Sequence, residues 1–200
     1  MKRFAWLAVA VLIVAIAAVP AQAAQADYKF KIFGGLAYVT PMADSDIGSV
    51  KFEADNALGY EIGGEWKPLP RLGFEFALVD VNNDVKADGT KIGEIGMQPV
   101  FITANFHIIN SDRFAWYAGP TVAFISWDDF EVDSAFGGGS TSIENETTFG
   151  ISTGVDLGLG EHLALIGGLR WVDSGAEESS TGDTVDVNPL FARVAIAWRF

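Results

Sequence analysis

The sequence contains no cysteine, which excludes disulfides, thiolate metal sites and a lipid-modified amino-terminal cysteine. Histidine is scarce. The two present, His107 and His162, stand in no H-x-H or H-x₃-H spacing, so no imidazole metal centre is expected. Base is scarce too, with 13 Lys and Arg against 26 Asp and Glu. Phosphate backbones would repel such a chain, so nucleic acid is not an expected partner. After the first residues there is no run near the roughly 20 apolar residues that a spanning helix needs.

What is there begins with a leader. Lys2 and Arg3 precede an uncharged apolar run from Phe4 to Val19, followed by Pro20-Ala21-Gln22-Ala23-Ala24-Gln25-Ala26. A basic segment, an apolar segment and A-x-A sites form the anatomy of a cleaved secretory signal. The alternative, an anchor helix, would need a longer run. The expected division is a signal peptide at 1–23, with cleavage after Ala23 or as late as Ala26, and one all-β domain at 24–200.

Beyond the leader the pattern is alternation with a period of two, which marks strands whose faces meet different environments. The closing stretch is the clearest. Leu190, Ala192, Val194, Ile196, Trp198 and Phe200 share one face, while Phe191, Arg193, Ala195, Ala197 and Arg199 share the other. The first strand sets Tyr28, Phe30, Ile32, Leu36 and Tyr38 against Lys29, Lys31, Gly35 and Ala37. Leu58, Tyr60, Ile62 and Trp66 oppose Gly59, Glu61, Gly63 and Glu65; across a Pro68/Pro70 turn, Leu72, Phe74, Phe76 and Leu78 oppose Gly73, Glu75 and Ala77. Val100, Ile102, Ala104, Phe106 and Ile108 then oppose Phe101, Thr103, Asn105 and His107. Trp116 to Trp127 has aromatics on both faces, and its facing stays open. Phe149, Ile151, Val155 and Leu157 oppose Gly150, Ser152, Gly154 and Asp156; Leu163, Leu165, Leu169 and Trp171 oppose Ala164, Gly168 and Arg170.

The intervening segments alternate in length. Thr40–Ala54, Asp80–Glu94, Asp128–Glu146 and Ser174–Thr184 read as long polar loops, and those between them as tight turns. An up-and-down barrel in an outer membrane has this asymmetry, with short periplasmic turns and long outer loops. A soluble barrel would put the charged face in water and the aromatic face inside. Yet an eight-stranded interior is only wide enough for side chains to fill it, and the aromatic set is too bulky. The opposite face is small and polar, as a narrow lumen requires. The fold expected is therefore an eight-stranded antiparallel up-and-down transmembrane β-barrel. Its lumen would be lined by Glu61, Glu65, Glu75, Asn105, His107, Asp156, Arg170 and Arg193. Trp66, Trp171, Trp198 and Phe200 would form the aromatic girdle, and terminal Phe200 the signal read by the barrel-assembly machinery.

Several pieces together resemble the outer-membrane protein W (OmpW-like) family of small barrels. They are Gly35-Leu36-Ala37-Tyr38-Val39-Thr40-Pro41, Asp55-Asn56, Pro99 opening the fourth strand, Trp116-Tyr117-Ala118-Gly119-Pro120-Thr121-Val122, and Asp186-Val187-Asn188-Pro189 leading to Trp198-Arg199-Phe200. Where the family opens the fourth strand with Leu-Pro-Pro, this chain has Met97-Gln98-Pro99. The resemblance implies an integral protein of the bacterial outer membrane that passes small hydrophobic molecules and releases them sideways into the bilayer. The lumen carboxylates and arginines suit a plugged, salt-bridged barrel equally well.

Other chemistry is weaker. A lipid A-modifying enzyme would need a Ser activated by a His at the lipid-facing surface. Here Ile108-Ile109-Asn110 follows His107, and Ser111 falls in a turn. Glu61, Glu65 and Glu75 are more simply partners for Arg170, Arg193 and Arg199 than an acid/base set. Asp128, Asp129, Glu131 and Asp133, with Glu144 and Glu146, lack the spacing of a calcium loop. No enzyme, metal or cofactor is expected. Two functions remain: passage of small hydrophobic molecules, or a closed barrel whose acidic loops contact partners or lipopolysaccharide.

Overall fold

The computed structural model describes residues 28–43, 45–47, 50–134, 138–177 and 184–200. The expected signal peptide at 1–23, and its alternative boundary at Ala26, lie outside the described residues. The strands in chain order are β1 (Phe30–Thr40), β2 (Ser45–Ile47), β3 (Val50–Ala54), β4 (Ala57–Leu69), β5 (Leu72–Ala87), β6 (Thr90–Asn110), β7 (Phe114–Trp127), β8 (Phe130–Val132), β9 (Gly139–Thr141), β10 (Glu146–Gly158), β11 (Leu163–Val172), β12 (Gly175–Glu177), β13 (Thr184–Asp186) and β14 (Leu190–Arg199).

Eight of them pair in a ring. β1 pairs with β4, β4 with β5, β5 with β6, β6 with β7, β7 with β10, β10 with β11, β11 with β14, and β14 returns to β1, all antiparallel. Closure removes the sheet edges that a bilayer cannot hydrogen-bond. The closing seam runs from Lys31 opposite Arg199 to Thr40 opposite Leu190. At its base the Phe200 amide donates to the Phe30 carbonyl at 2.9 Å. Short turns and the base of this seam, at Phe30 and Phe200, gather at one end; β2, β3, β8, β9 and the β12–β13 pair extend the other.

Alternation builds the wall. On β4, Leu58, Tyr60, Ile62 and Trp66 are exposed, whereas Glu61 and Glu65 are buried. The girdle residues all face outward, with Trp66 50%, Trp171 37%, Trp198 47% and Phe200 59% exposed. Trp66 packs on Phe74, and Trp198 stacks on His162. The fifth ring strand, β7, is resolved too: Tyr117, Thr121, Ala123, Ile125 and Trp127 point inward, and Trp116, Pro120 and Phe124 outward.

Three expectations need correction. Asp80–Glu94 is no loop. β5 and β6 continue as strands to a two-residue turn at Asp88 (φ 49°) and Gly89 (φ 80°), the left-handed pair of a type I′ hairpin. Pro99 accordingly lies inside β6 and not at its start. Tyr28 precedes β1 and turns inward, its hydroxyl donating to Asp156 Oδ2 at 3.3 Å, because a buried phenol needs a polar partner that lipid cannot supply.

Along the β5–β6 hairpin the sense of the alternation inverts. Outward residues of β5 run Phe74, Phe76, Leu78 and then Asp80 and Asn82; inward ones run Glu75, Ala77 and then Val79 and Val81. β6 repeats this, with Ile102 and Phe106 outside below Gln98, and Asn105 and His107 inside below Ile95 and Met97. The wall changes from greasy to polar at Asp80 and Gln98, which marks the outer membrane surface. The interior changes the other way.

Candidate functional site

The buried ionic layer receives a side chain from every strand of the ring. Lys31 comes from β1, Glu61 and Glu65 from β4, Glu75 from β5, Asn105 and His107 from β6, Tyr117 from β7, Asp156 from β10, Arg170 from β11 and Arg193 from β14. None of these ten residues is more than 6% exposed. Cross-strand register sets the problem: Glu65 lies directly opposite Glu75, and like charges facing each other repel. These two carboxylates therefore take different cations.

Glu65 belongs to one cluster. Lys31 Nζ sits 2.9 Å from Glu65 and donates to Asp156 Oδ2 at 2.7 Å. His107 Nε2 is 2.9 Å from Glu65 Oε1. Glu75 belongs to the other. Arg193 grips both its oxygens, at 2.7 and 2.8 Å, and Arg170 Nη2 donates at 2.7 Å. Both guanidiniums also reach Glu61 Oε1, at 3.1 and 3.3 Å. Two neutral groups join the clusters. Asn105 Nδ2 donates to Glu65 at 3.2 Å and lies 3.4 Å from Glu75. The Tyr117 hydroxyl donates to Asp156 Oδ1 at 3.1 Å and accepts from Arg193 at 3.2 Å.

All eight residues expected to line the lumen thus point inward and sit in one network. The sequence reading did not single out Lys31 or Tyr117. Lys31 was on the correct face and had only to be weighed as the partner of an inward carboxylate. Tyr117 was hidden by the aromatics on both faces of β7. Arg199 departs from its expected role: it donates to the carbonyls of Asp112 at 3.0 Å, Gly160 at 3.0 Å and Leu163 at 3.3 Å, and to no lumen carboxylate. It ties the short turns together. Lys67 Nζ lies beside it at the same end, 4.0 Å from the Tyr28 ring centroid and 2.8 Å from Asn110 Oδ1.

Removing one partner from a buried pair strands the other charge in low dielectric, so the layer is held as a unit. Chemically it is a plug. Most of its polar groups bond one another, with Glu61 Oε2, Asn105 Oδ1, His107 Nδ1 and Arg170 Nε left without a hydrogen bond among the described residues; among the described residues no cluster of His, Cys, Asp or Glu is arranged to hold a metal ion. Aromatic rings flank its arginines, with Phe33 inside the layer, between the levels of Lys31 and Arg193, and Phe101 on the outer side. Arg170 lies 4.0 Å from the Phe101 centroid and Arg193 5.1 Å from that of Phe33. Phe101 meets Phe191 edge to face at 5.1 Å. Beyond the rings the interior is apolar, with Val39, Val79, Val81, Ile95, Met97, Ile125 and Trp127 in one buried cluster.

No family model matches the sequence, and no curated protein matches it by sequence. Solved structures do resemble it. OprG of Pseudomonas aeruginosa superposes with a TM-score of 0.78 at 20% identity, covering 89% of this chain and 98% of OprG. This chain has the fold of these eight-stranded outer-membrane β-barrels. AlkL, determined in lipid bilayers, gives a TM-score of 0.60 at 16% identity over 91% of this chain and 95% of AlkL. The outer membrane protein W of E. coli gives 0.59 at 18%, covering 86% and 98%. The fold they share is one whose place is the bacterial outer membrane, which agrees with the lipid-suited wall built above.

Proposed function

We propose that this barrel conducts small apolar molecules from outside the cell into the hydrocarbon of the outer membrane, by the outer half of its interior and not down its axis. The observation that carries this reading is the division of the interior. An ion-paired plug fills the half within the membrane, and an apolar cluster fills the half at and above its outer surface. An apolar solute would gain nothing by displacing ion pairs worth several kcal/mol, so its way out would be sideways.

A local feature supports that exit. Between β5 and β6 the ladder pairs Leu78 with Val100 and resumes at Val81 with Met97, leaving Val79 and Asp80 unpaired with Pro99 and Gln98. Proline has no N–H to give a neighbouring strand. The interruption falls at the height where the wall changes from greasy to polar. Outer-membrane lipid and lipopolysaccharide would be the surroundings of the barrel, and no enzymatic role is proposed for it.

The second reading is a closed structural barrel whose acidic loops contact lipopolysaccharide or other partners. It is favoured by the packing of the apolar cluster, whose members are nearly inaccessible to water. One measurement tests the plug that both readings share, and a second separates them. In planar bilayers the purified protein should show no ion conductance under either. In cells with an intact lipopolysaccharide leaflet, expression should speed uptake of an apolar fluorescent dye. Unchanged dye uptake would remove the passage reading and leave the closed barrel.

A further inference from the structure

In the outer apolar cluster one polar atom stands alone. The indole nitrogen of Trp127 is buried and has no hydrogen-bond partner among the described residues. Trp127 is 8% exposed and points inward from the last position of β7, beside Met97 on β6. An indole N–H is a donor only, and a buried Trp ordinarily finds an acceptor for it. Leaving a donor unmade in an apolar surrounding is costly. Beside it the cluster consists of carbon and one thioether: Val81, Ile95, Met97 and Ile125.

We infer that Trp127 is a recognition residue for neutral amphiphiles: apolar chains carrying one oxygen acceptor, such as a ketone or ester, held by the indole N–H. The inference rests on the passage reading and names the class of molecule that would pass. Its geometry is consistent with the proposed exit. Trp127 pairs with Met97, and Ile125 pairs with Pro99, so the indole lies two residues, roughly 7 Å along the strand, above the ladder interruption. An acceptor held at Trp127 places its chain at the height of Pro99, head above the membrane surface and tail level with hydrocarbon. That is the orientation an amphiphile takes in a bilayer.

Charge selects the neutral form. The exposed rim near Trp127 carries Asp128, Asp129 and Glu131, with Glu94 opposite on β6. Of the lysines there, Lys91 is engaged by Asp84 and Glu94 at 2.8 and 2.5 Å, and Lys86 by Asp55 at 2.6 Å. A carboxylate head would approach acids. The arginines that could receive it lie deeper in the interior, against Phe101 and Phe33, already bound to Glu61 and Glu75.

The test uses a chain-matched series: decane, 2-decanone and decanoate. The full protein, with its indoles labelled with nitrogen-15, is placed in phospholipid nanodiscs, and Trp127→Phe identifies the resonance. The ketone should move the Trp127 N–H signal saturably. Decane should not, and decanoate should do so only at much higher concentration. In cells, uptake of ketone relative to decane should exceed unity by roughly 3- to 10-fold, the worth of one neutral hydrogen bond, and should fall to about one in Trp127→Phe. A Trp127 signal that ignores the ketone, or answers decane equally, overturns the inference even if apolar uptake is intact. A saturable shift without any uptake keeps the recognition site and removes the passage reading.

Discussion

The two ends of β5 obey opposite rules. From Leu72 to Leu78 the strand shows hydrocarbon to the outside and small or charged groups to the inside; from Val79 to Asn83 it shows carboxylate and amide outside and mainly valine inside. One strand crosses two solvents, and at each height its inner face is suited to the opposite one. The lesson concerns where charge can be stored. Surrounded by lipid, the lower interior has its ions paired with one another, with Arg193 bidentate on Glu75 and Lys31 between Glu65 and Asp156. Surrounded by water, the upper interior can be an ordinary apolar core. The seam between them is aromatic, because a ring face satisfies a guanidinium below and aliphatic carbon above.

The contrast can be broken most strongly from below. Glu75→Ala should cost about 3–5 kcal/mol, since it strands Arg170 and Arg193 on the single shared oxygen of Glu61. Urea unfolding from lipid vesicles, read by the gel shift between folded and unfolded barrel, measures this. Glu75→Gln, which keeps an acceptor, should recover part of the loss. If Glu75→Ala unfolds at the wild-type midpoint, the layer is no network and the plug is incidental. The seam comes next. Phe101→Leu fills much of the same volume but removes the ring 4.0 Å from Arg170 and the edge contact to Phe191. About 2 kcal/mol should be lost, the worth of a desolvated cation–π contact. An unchanged midpoint would make Phe101 a space-filler and the boundary between the two halves merely steric.

Much of this was legible in the sequence, and what was not has separate physical causes. Strands inside the membrane were read correctly because lipid makes the outer face uniformly apolar, as at Leu58, Tyr60 and Ile62. Above Leu78 the outer face meets water, so Asp80, Asn82 and Asp84 gave the composition of a loop while Val79, Val81 and Val85 kept the period of a strand. The signal that could have found the hairpin is Asp88-Gly89, a dipeptide suited to two consecutive left-handed residues. The charge layer was legible as a face and not as a network. Period two tells that Glu61, Glu75, Arg170 and Arg193 point inward; only the register of non-adjacent strands brings β4 and β5 within reach of β11 and β14. Tyr28 lies before β1 begins, where the alternation no longer holds and a hydroxyl's need for a partner outweighs periodicity. Arg199 shares the face of the carboxylate-paired arginines, yet at the turn end the carbonyls of Asp112, Gly160 and Leu163 take its donors.

The smallest effect sharpens the comparison by separating the halves in time. Gly89 has φ 80° and nothing within 4 Å of the position a Cβ would take, so Gly89→Ala meets no clash and changes only the backbone energy. A left-handed conformation costs an L-residue about 1–2 kcal/mol. That strain falls on the tip of the hairpin, whose extension beyond the ring is held by β3 on one side and β8 on the other. Local opening there need not disturb pairing below Leu78. Hydrogen exchange should therefore quicken roughly 5- to 30-fold, the same energy expressed as an opening constant, at the outer amides of β5 and β6. Amides around Glu75 and Asn105 should exchange as in the wild type. Acceleration shared by both sets would mean that the strand opens as one unit, and that the apolar half has no independence from the ionic half beneath it.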